Sequence, residues 1–390
     1  MKILFLAPQP FYQERGTTIA IDMLLSVLSQ RGHSVRLLTY HIGQDRDYRG
    51  IEVRRVRPPF APASIKPGFS LAKLYCDLFL AFAALRECRR NDYGLLYSVE
   101  EAGFIAATLH RFFGIPYAVD MDSLMSDQII EKYPKLRVFH SLLKKVESWP
   151  LKRASAVVPM CEDLASFARR FHNQEIHVLR DVSLVSNNDS EVSAEDIRTS
   201  YGIASPILLY VGNLEEYQGI DLLLMSISEL KSAGVECAGV VIGGSDTGIK
   251  HYTRIAEQLG IDDAVWFIGP RPVTALGHYL SQADVLVSPR VKGTNTPMKI
   301  YSYLDSGVPV VATALPTHTQ VISAREASLV SPDPQSMADA IKTLLANPEV
   351  GERLVRNARD LIAQRHSPES FTETVNEIFD SLQNRISKTN

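Results

Sequence analysis

Short apolar segments alternate with longer amphipathic ones from one end of this chain to the other, and few folds accept that order. Segments at 3–7, 35–40, 51–56, 94–99, 117–121, 156–160 and 176–179 are brief and rich in Val, Ile, Leu and aromatic residues. Strands buried on both faces read this way. A second series lies at 207–211, 239–242, 265–268, 283–288, 308–312 and 328–330. Helical periodicity between the strands implies parallel crossovers, and so a sheet wound on both faces. Between the series, residues 183–193 are polar and rich in turn formers, as a linker is. At 390 residues the chain exceeds a single core. The expectation is α/β: two Rossmann-like doubly wound domains, 1–182 and 194–366, facing a central cleft. From 334 to about 382 the tail reads as helical, interrupted at Asn347-Pro348 and before Pro368.

Composition removes several classes of function. Hydrophobic residues are 45% and charged residues 22%, as in ordinary globular proteins, and a net charge of −3 gives no bulk affinity for nucleic acid. Cys76, Cys88, Cys161 and Cys237 are widely spaced with no CxxC pair, suggesting neither zinc nor a disulfide framework. No HxxxH or HExxH occurs, so no metal site is expected. A reducing cytoplasm fits this cysteine usage. The opening strand is too short for a signal peptide's apolar region, and the longest apolar run, 78–85, is far short of a membrane span.

Open α/β sheets bind ligands at the carboxyl ends of their strands, so the loops there carry the functional signal. After the first strand, 8–18 contains Gly16, which allows close backbone approach, and Thr17 and Thr18, which can cap the following helix. The loop lacks GxGxxG, and no GxxxxGK[ST] occurs, which argues against a dinucleotide dehydrogenase and a P-loop enzyme. In the second half, Gly212 ends one strand and Gly219 opens a helix with Leu222, Leu223, Met225 and Ile227 on its apolar face. Gly243 and Gly244 end the next strand. The richest stretch is 288–313. Pro297 suits a first helical position, Thr294, Asn295 and Thr296 are natural caps, and Arg290, Lys292, Gly293 and Lys299 surround the loop. A phosphate is the expected guest, although a plain capped βαβ turn would use the same caps. A nucleotide sugar suits such a surface.

Three stretches resemble the family-4 retaining glycosyltransferases of the GT-B fold: Arg31-Gly-His-Ser-Val35, Tyr210-Val-Gly-Asn-Leu214 with Gln218-Gly-Ile-Asp221, and, most specifically, Leu304-Asp-Ser-Gly-Val-Pro-Val-Val-Ala-Thr313. The resemblance spans nearly the whole chain. It implies a donor-binding C-terminal domain, an acceptor-binding N-terminal domain, and a last helix, about 367–390, that crosses back to the first domain. It also implies metal-independent transfer of a sugar, with retention, from a nucleotide-sugar donor to an acceptor hydroxyl, glycan or lipid-linked, without a cofactor. Stabilisation of the leaving diphosphate would supply much of the catalysis.

The sequence departs from the family where that chemistry sits. The family's diphosphate-binding arginine and lysine fall on Asn213 and Gln218, its paired glutamates on Thr294 and Ser302, and its histidine at the end of the 117–121 strand on Asp122. An active cleft would use Arg290, Lys292 and Lys299 as replacement cations, with Thr294, Asn295 and Ser302 as hydrogen-bonding groups and Asp122 as the catalytic carboxylate. The alternatives are an inactive GT-B protein that binds a sugar or nucleotide as a partner subunit, and a sugar-nucleotide epimerase. On the acceptor side, Glu100 and Glu101 either bind hydroxyls or favour the start of the next helix. Finally, 134–149 interleaves basic residues with Phe139, Leu142, Leu143, Val146 and Trp149. This stretch either docks peripherally on anionic lipid or turns its apolar stripe into the core.

Overall fold

The computed structural model describes residues 1–65, 68, 70–172, 175–185, 195–293 and 296–389. The chain resolves into two compact units, one of Met1–Arg180 with Phe371–Asn390 and one of Asp181–Ser370. In the first unit β1 (Lys2–Ala7), β2 (Ser34–Tyr40), β3 (Ile51–Val56), β4 (Leu95–Val99), β5 (Tyr117–Met121) and β6 (Ala156–Pro159) form one sheet in the order β3-β2-β1-β4-β5-β6. The second unit has β7 (Ile207–Val211), β8 (Ala238–Ile242), β9 (Val265–Gly269), β10 (Val285–Ser288), β11 (Val310–Thr313) and β12 (Ser328–Val330), ordered β12-β11-β10-β7-β8-β9. All these pairings are parallel. Counted from its own first strand, each sheet runs 3-2-1-4-5-6. Strand order therefore reverses between β1 and β4 in one unit and between β7 and β10 in the other, where crevices for ligands open.

The cores explain the apolar runs. β1, β4 and β5 beyond their first residues are buried on both faces. The first unit's sheet packs against Leu80, Ala84, Ala106 and Leu109 of the helices Leu71–Arg90 and Ala102–Phe113. In the second unit Ile220, Leu223, Leu224, Ile227 and Leu230 of the helix Ile220–Ser232 cover one face. Met225, expected on that apolar face, points to solvent, because its position lies between the turns that meet the sheet. The helix Pro368–Thr389 supplies Phe379 to the first unit, stacked on Tyr97 with centroids 5.8 Å apart. Arg31 donates to Asn376 at 2.6 Å and pairs with Asp380 at 2.5 Å.

The segment 176–179, expected as a strand, forms only an isolated bridge from Ile176 to Val157. Its two hydrogen bonds run from His177 N–H to the Val157 carbonyl at 3.3 Å and from Leu179 N–H to the Pro159 carbonyl at 3.0 Å. On that edge Pro159 has no N–H to give back, so the ladder stops.

Candidate functional site

At the switch point of the first unit, Glu100 follows β4 directly and adopts a left-handed φ of 50°. Its N–H donates to the Asp120 carbonyl at 2.8 Å, and one of its carboxylate oxygens accepts from Ser123 Oγ at 2.8 Å. Lys73, from the helix Leu71–Arg90, reaches Glu101 at 2.5 Å and Glu100 at 3.7 Å. One turn along the same helix, Asp77 accepts from Tyr40 Oη at 2.5 Å. Asp122 follows β5 directly, with Oδ2 enclosed and without a hydrogen-bond partner. The Thr17 hydroxyl meets the same carboxyl group.

Burial, with little positive charge nearby, raises the proton affinity of Asp122, Glu101 and Asp77. Burial first, then the negative charges of Asp120 and Glu100, push Asp122 well above the usual carboxylate range; Thr17 and Lys73 only partly offset this. Burial likewise raises Glu101 to about 8 against the pull of Lys73, and raises Asp77 to about 6. Burial opposes the charge on Lys73, but Glu100 and Glu101 outweigh it and hold the ammonium above its ordinary range. Both carboxyls, Asp122 and Glu101, are thereby given a raised affinity for protons.

In the second unit the loops after β7, β8 and β10 approach so closely that side chains are excluded. A Cβ on Gly219 would lie 2.0 Å from the Pro289 carbonyl oxygen, and one on Gly243 would lie 2.2 Å from that of Gly212. Lys299 occupies the space left by Gly212, with Nζ 2.7 Å from where a Cβ would stand. The ammonium donates to Gln218 Oε1 at 3.1 Å and lies 3.8 Å from the centroid of the Tyr210 ring. Among the described residues no carboxylate pairs with it. Burial, reinforced by Arg290, drives Lys299 well below the ordinary lysine range. Arg290 is buried, donating through Nε to the Lys292 carbonyl at 2.8 Å and lying 5.1 Å from the Tyr217 ring centroid.

Several expected site residues have other partners. Lys292 is exposed and paired with Glu216 at 2.8 Å, so it contributes a surface ion pair rather than a buried cation. Ser302 is fully buried and accepts the Leu184 N–H at 3.0 Å, which places its hydroxyl in backbone support. The helix there is Lys299–Asp305, starting two residues after Pro297, and no side chain caps it. Thr296 is buried with Oγ1 unpartnered, while Thr294 and Asn295 lie outside the described residues. Neither Thr17 nor Thr18 caps the first helix. That helix already begins at Gly16, and Thr18 Oγ1 turns back to the carbonyls of Gln13 and Arg15. Gly16 and Asn213 are exposed. Gly293 and Gly244 hold φ of 110° and 84°, and a Cβ on Gly244 would strike Leu214.

Sequence reasoning missed Lys73, Asp77, Tyr210 and His318. Buried His318 links Ser288 Oγ at 2.9 Å to the Thr313 carbonyl at 2.9 Å, and burial holds it neutral, at about 4. The i, i+4 spacing of Lys73 and Asp77 was a readable signal for a shared helix face.

Two family descriptions match this chain, "Glycosyl transferases group 1" over 193–361 and "Glycosyl transferase 4-like domain" over 15–180. The chain belongs to the family-4 glycosyltransferases of the GT-B fold. It is 24% identical over 277 residues to an alpha-D-kanosaminyltransferase of Streptomyces kanamyceticus, covering 68% of this chain and 70% of that one. The sucrose-phosphate synthase of Thermosynechococcus elongatus superimposes with a TM-score of 0.80 at 19% identity, over 98% of this chain and 99% of that one. Anabaena HepE, solved with UDP-glucose, gives 0.70 at 16% identity over 98% and 100%. In this glycosyltransferase, Gln218 stands where the resemblance implies a lysine, and Lys299 reaches it from another segment.

Proposed function

We propose that this glycosyltransferase moves a sugar from a nucleotide-sugar donor to an acceptor hydroxyl, glycan or lipid-linked, with retention and without a metal. The observation that carries the proposal is Lys299, a buried ammonium beside Arg290 with no carboxylate partner among the described residues, at the β7/β10 switch point. A diphosphate would give Lys299 the anion that it lacks among the described residues, and charge-assisted bonds to it would strengthen as negative charge develops on departure. The substitutions at Asn213 and Gln218 leave Lys299 and Arg290 as the cations for that role. That HepE was solved with UDP-glucose supports a nucleotide sugar as the donor class. Asp122 would orient the reacting sugar or take the acceptor's proton, helped by its raised affinity for protons. Glu100 and Glu101 would meet acceptor hydroxyls.

Among the described residues no three His, Cys, Asp or Glu side chains group to hold a metal ion. No helix there is long and apolar enough to cross a membrane. The four free, buried cysteines agree with a reducing, cytoplasmic setting.

The test is a calorimetric binding screen of UDP, GDP, ADP and CMP sugars, followed by assay of nucleotide release with acceptor mixtures. One donor should bind, and Lys299→Ala should abolish that binding. Tight binding without release under any acceptor would favour an inactive partner subunit, and release without a glycosylated product would indicate hydrolysis or epimerase-like chemistry. Unchanged binding in both Lys299→Ala and Arg290→Ala would remove the replacement-cation argument.

A further inference from the structure

The 3₁₀ turn Pro134–Phe139 and the helix His140–Glu147 reverse the usual order of a surface helix. Such a helix normally buries its apolar stripe and exposes its charges. Here Val138, Leu142, Val146 and Trp149, at spacings of four, four and three, all face solvent, with Val138 81% exposed, Leu142 57% and Trp149 47%. Phe139 and Leu136 extend the same surface. The expectation that this stripe turns into the core is therefore wrong for most of its residues.

Three polar side chains, Glu147, His140 and Lys144, anchor the segment to the neighbouring helix instead. Buried Glu147 accepts the backbone N–H groups of Met125 at 2.5 Å and Ser126 at 3.3 Å, at the start of the helix Met125–Lys132. His140 and Lys144 reach Asp127 on that helix at 2.6 and 3.4 Å. Trp149 stacks on Phe104 with centroids 6.0 Å apart. These contacts hold the segment by its polar side and present the apolar one.

Charge decides what covers this face. Residues 132–153 carry seven basic side chains, Lys132, Lys135, Arg137, Lys144, Lys145, Lys152 and Arg153, against one carboxylate, buried Glu147. In a chain of net charge −3 this concentration is local. A second copy of the chain would bring like charge against like at a self-complementary contact. An anionic bilayer supplies both a negative surface for the lysines and an acyl boundary for Val138, Leu142, Val146 and Trp149.

We infer that residues 134–153 form a membrane-surface dock that seats the protein on anionic lipid by its exposed apolar stripe and basic rim. This goes beyond the transfer reaction and holds whether or not the donor assignment is right.

The experiment uses the full chain with vesicles of phosphatidylcholine alone or mixed with phosphatidylglycerol. Trp266→Phe leaves Trp149 as the sole indole of the two in the chain. Its emission should shift to the blue only with the anionic vesicles, and rising salt should release the protein. Sedimentation with anionic vesicles should fall at least about tenfold for the triple variant Lys135→Glu, Arg137→Glu, Lys145→Glu. The double variant Val138→Ser, Leu142→Ser should lose binding as well, with an unchanged melting curve in both variants. Absence of vesicle binding, equal binding to neutral and anionic vesicles, or full binding by either variant overturns the inference. A concentration-dependent dimer that Val138→Ser, Leu142→Ser dissolves would also overturn it, by assigning the face to a second copy.

Discussion

The switch points of the two units apply one physical effect, burial, to opposite charges. Beside β4 and β5 it encloses Asp77, Glu101 and Asp122 among other carboxylates, so these three hold protons more tightly than in water. Beside β7 and β10 it shields Lys299 from water within the field of Arg290, so a lysine holds its proton less tightly than in water. On the reading proposed above, the first arrangement would exchange protons with hydroxyls and the second would receive an anion.

The comparison breaks most sharply at Asp122. If its carboxyl exchanges a proton with acceptor or sugar, Asp122→Asn should lower kcat on the order of 10³-fold while donor affinity stays constant. Because folding raises the Asp122 pKa, the charged form weakens the folded state above the ordinary carboxylate range. Asp122→Asn should therefore melt higher at neutral pH. A variant with full turnover would confine Asp122 to structure.

Next in size is Lys299→Met, for which donor affinity should fall on the order of 10²-fold by calorimetry. The free enzyme should melt higher, since an unpaired buried ammonium has been removed. Donor affinity of the wild type should weaken at a pH below the ordinary lysine range, because Lys299 sheds its proton early. Unaltered affinity at alkaline pH would place the diphosphate elsewhere.

The scaffold contrast is sharpened by Gly243→Ala, whose Cβ would collide with the Gly212 carbonyl while φ stays at 108°. Overpacking of this kind costs about 1–3 kcal/mol, readable by urea denaturation. An equally stable variant would show that the β7 and β8 loops part easily.

The smallest effect is expected from pH at Glu101. Burial raises its folded pKa to about 8, above the ordinary glutamate value of 4.5, so the folded state binds the extra proton between them. Stability from this group is fullest below about 4.5 and declines as pH rises through 8. The slope of melting temperature against pH across that window should flatten in Glu101→Gln; an unchanged slope would assign the retained proton to a neighbour.

Much of the fold was legible because strand and helix periodicities are local. The 3–7 and 207–211 runs announced β1 and β7, and the glycines after β7 and β8 marked close approaches that the structure contains. The candidate site was readable where its residues lie just after a strand, as Asp122, Arg290 and Gly212 do. It was opaque where partners came from distant segments. Nothing near Glu101 announces Lys73, and nothing near Ser302 announces the Leu184 N–H that it receives.

Sequence alone determined two parallel sheets and the identity of the loops at their carboxyl ends, since hydrophobic period and turn chemistry are properties of neighbours along the chain. Tertiary structure decided which of those residues carry abnormal charge. It placed Lys299 against Gly212 and Arg290, and enclosed Asp122 among other carboxyls. It also turned the stripe from Val138 to Trp149 outward. Desolvation and long-range Coulomb interaction depend on what surrounds a group in space, and no local pattern in the sequence encodes that.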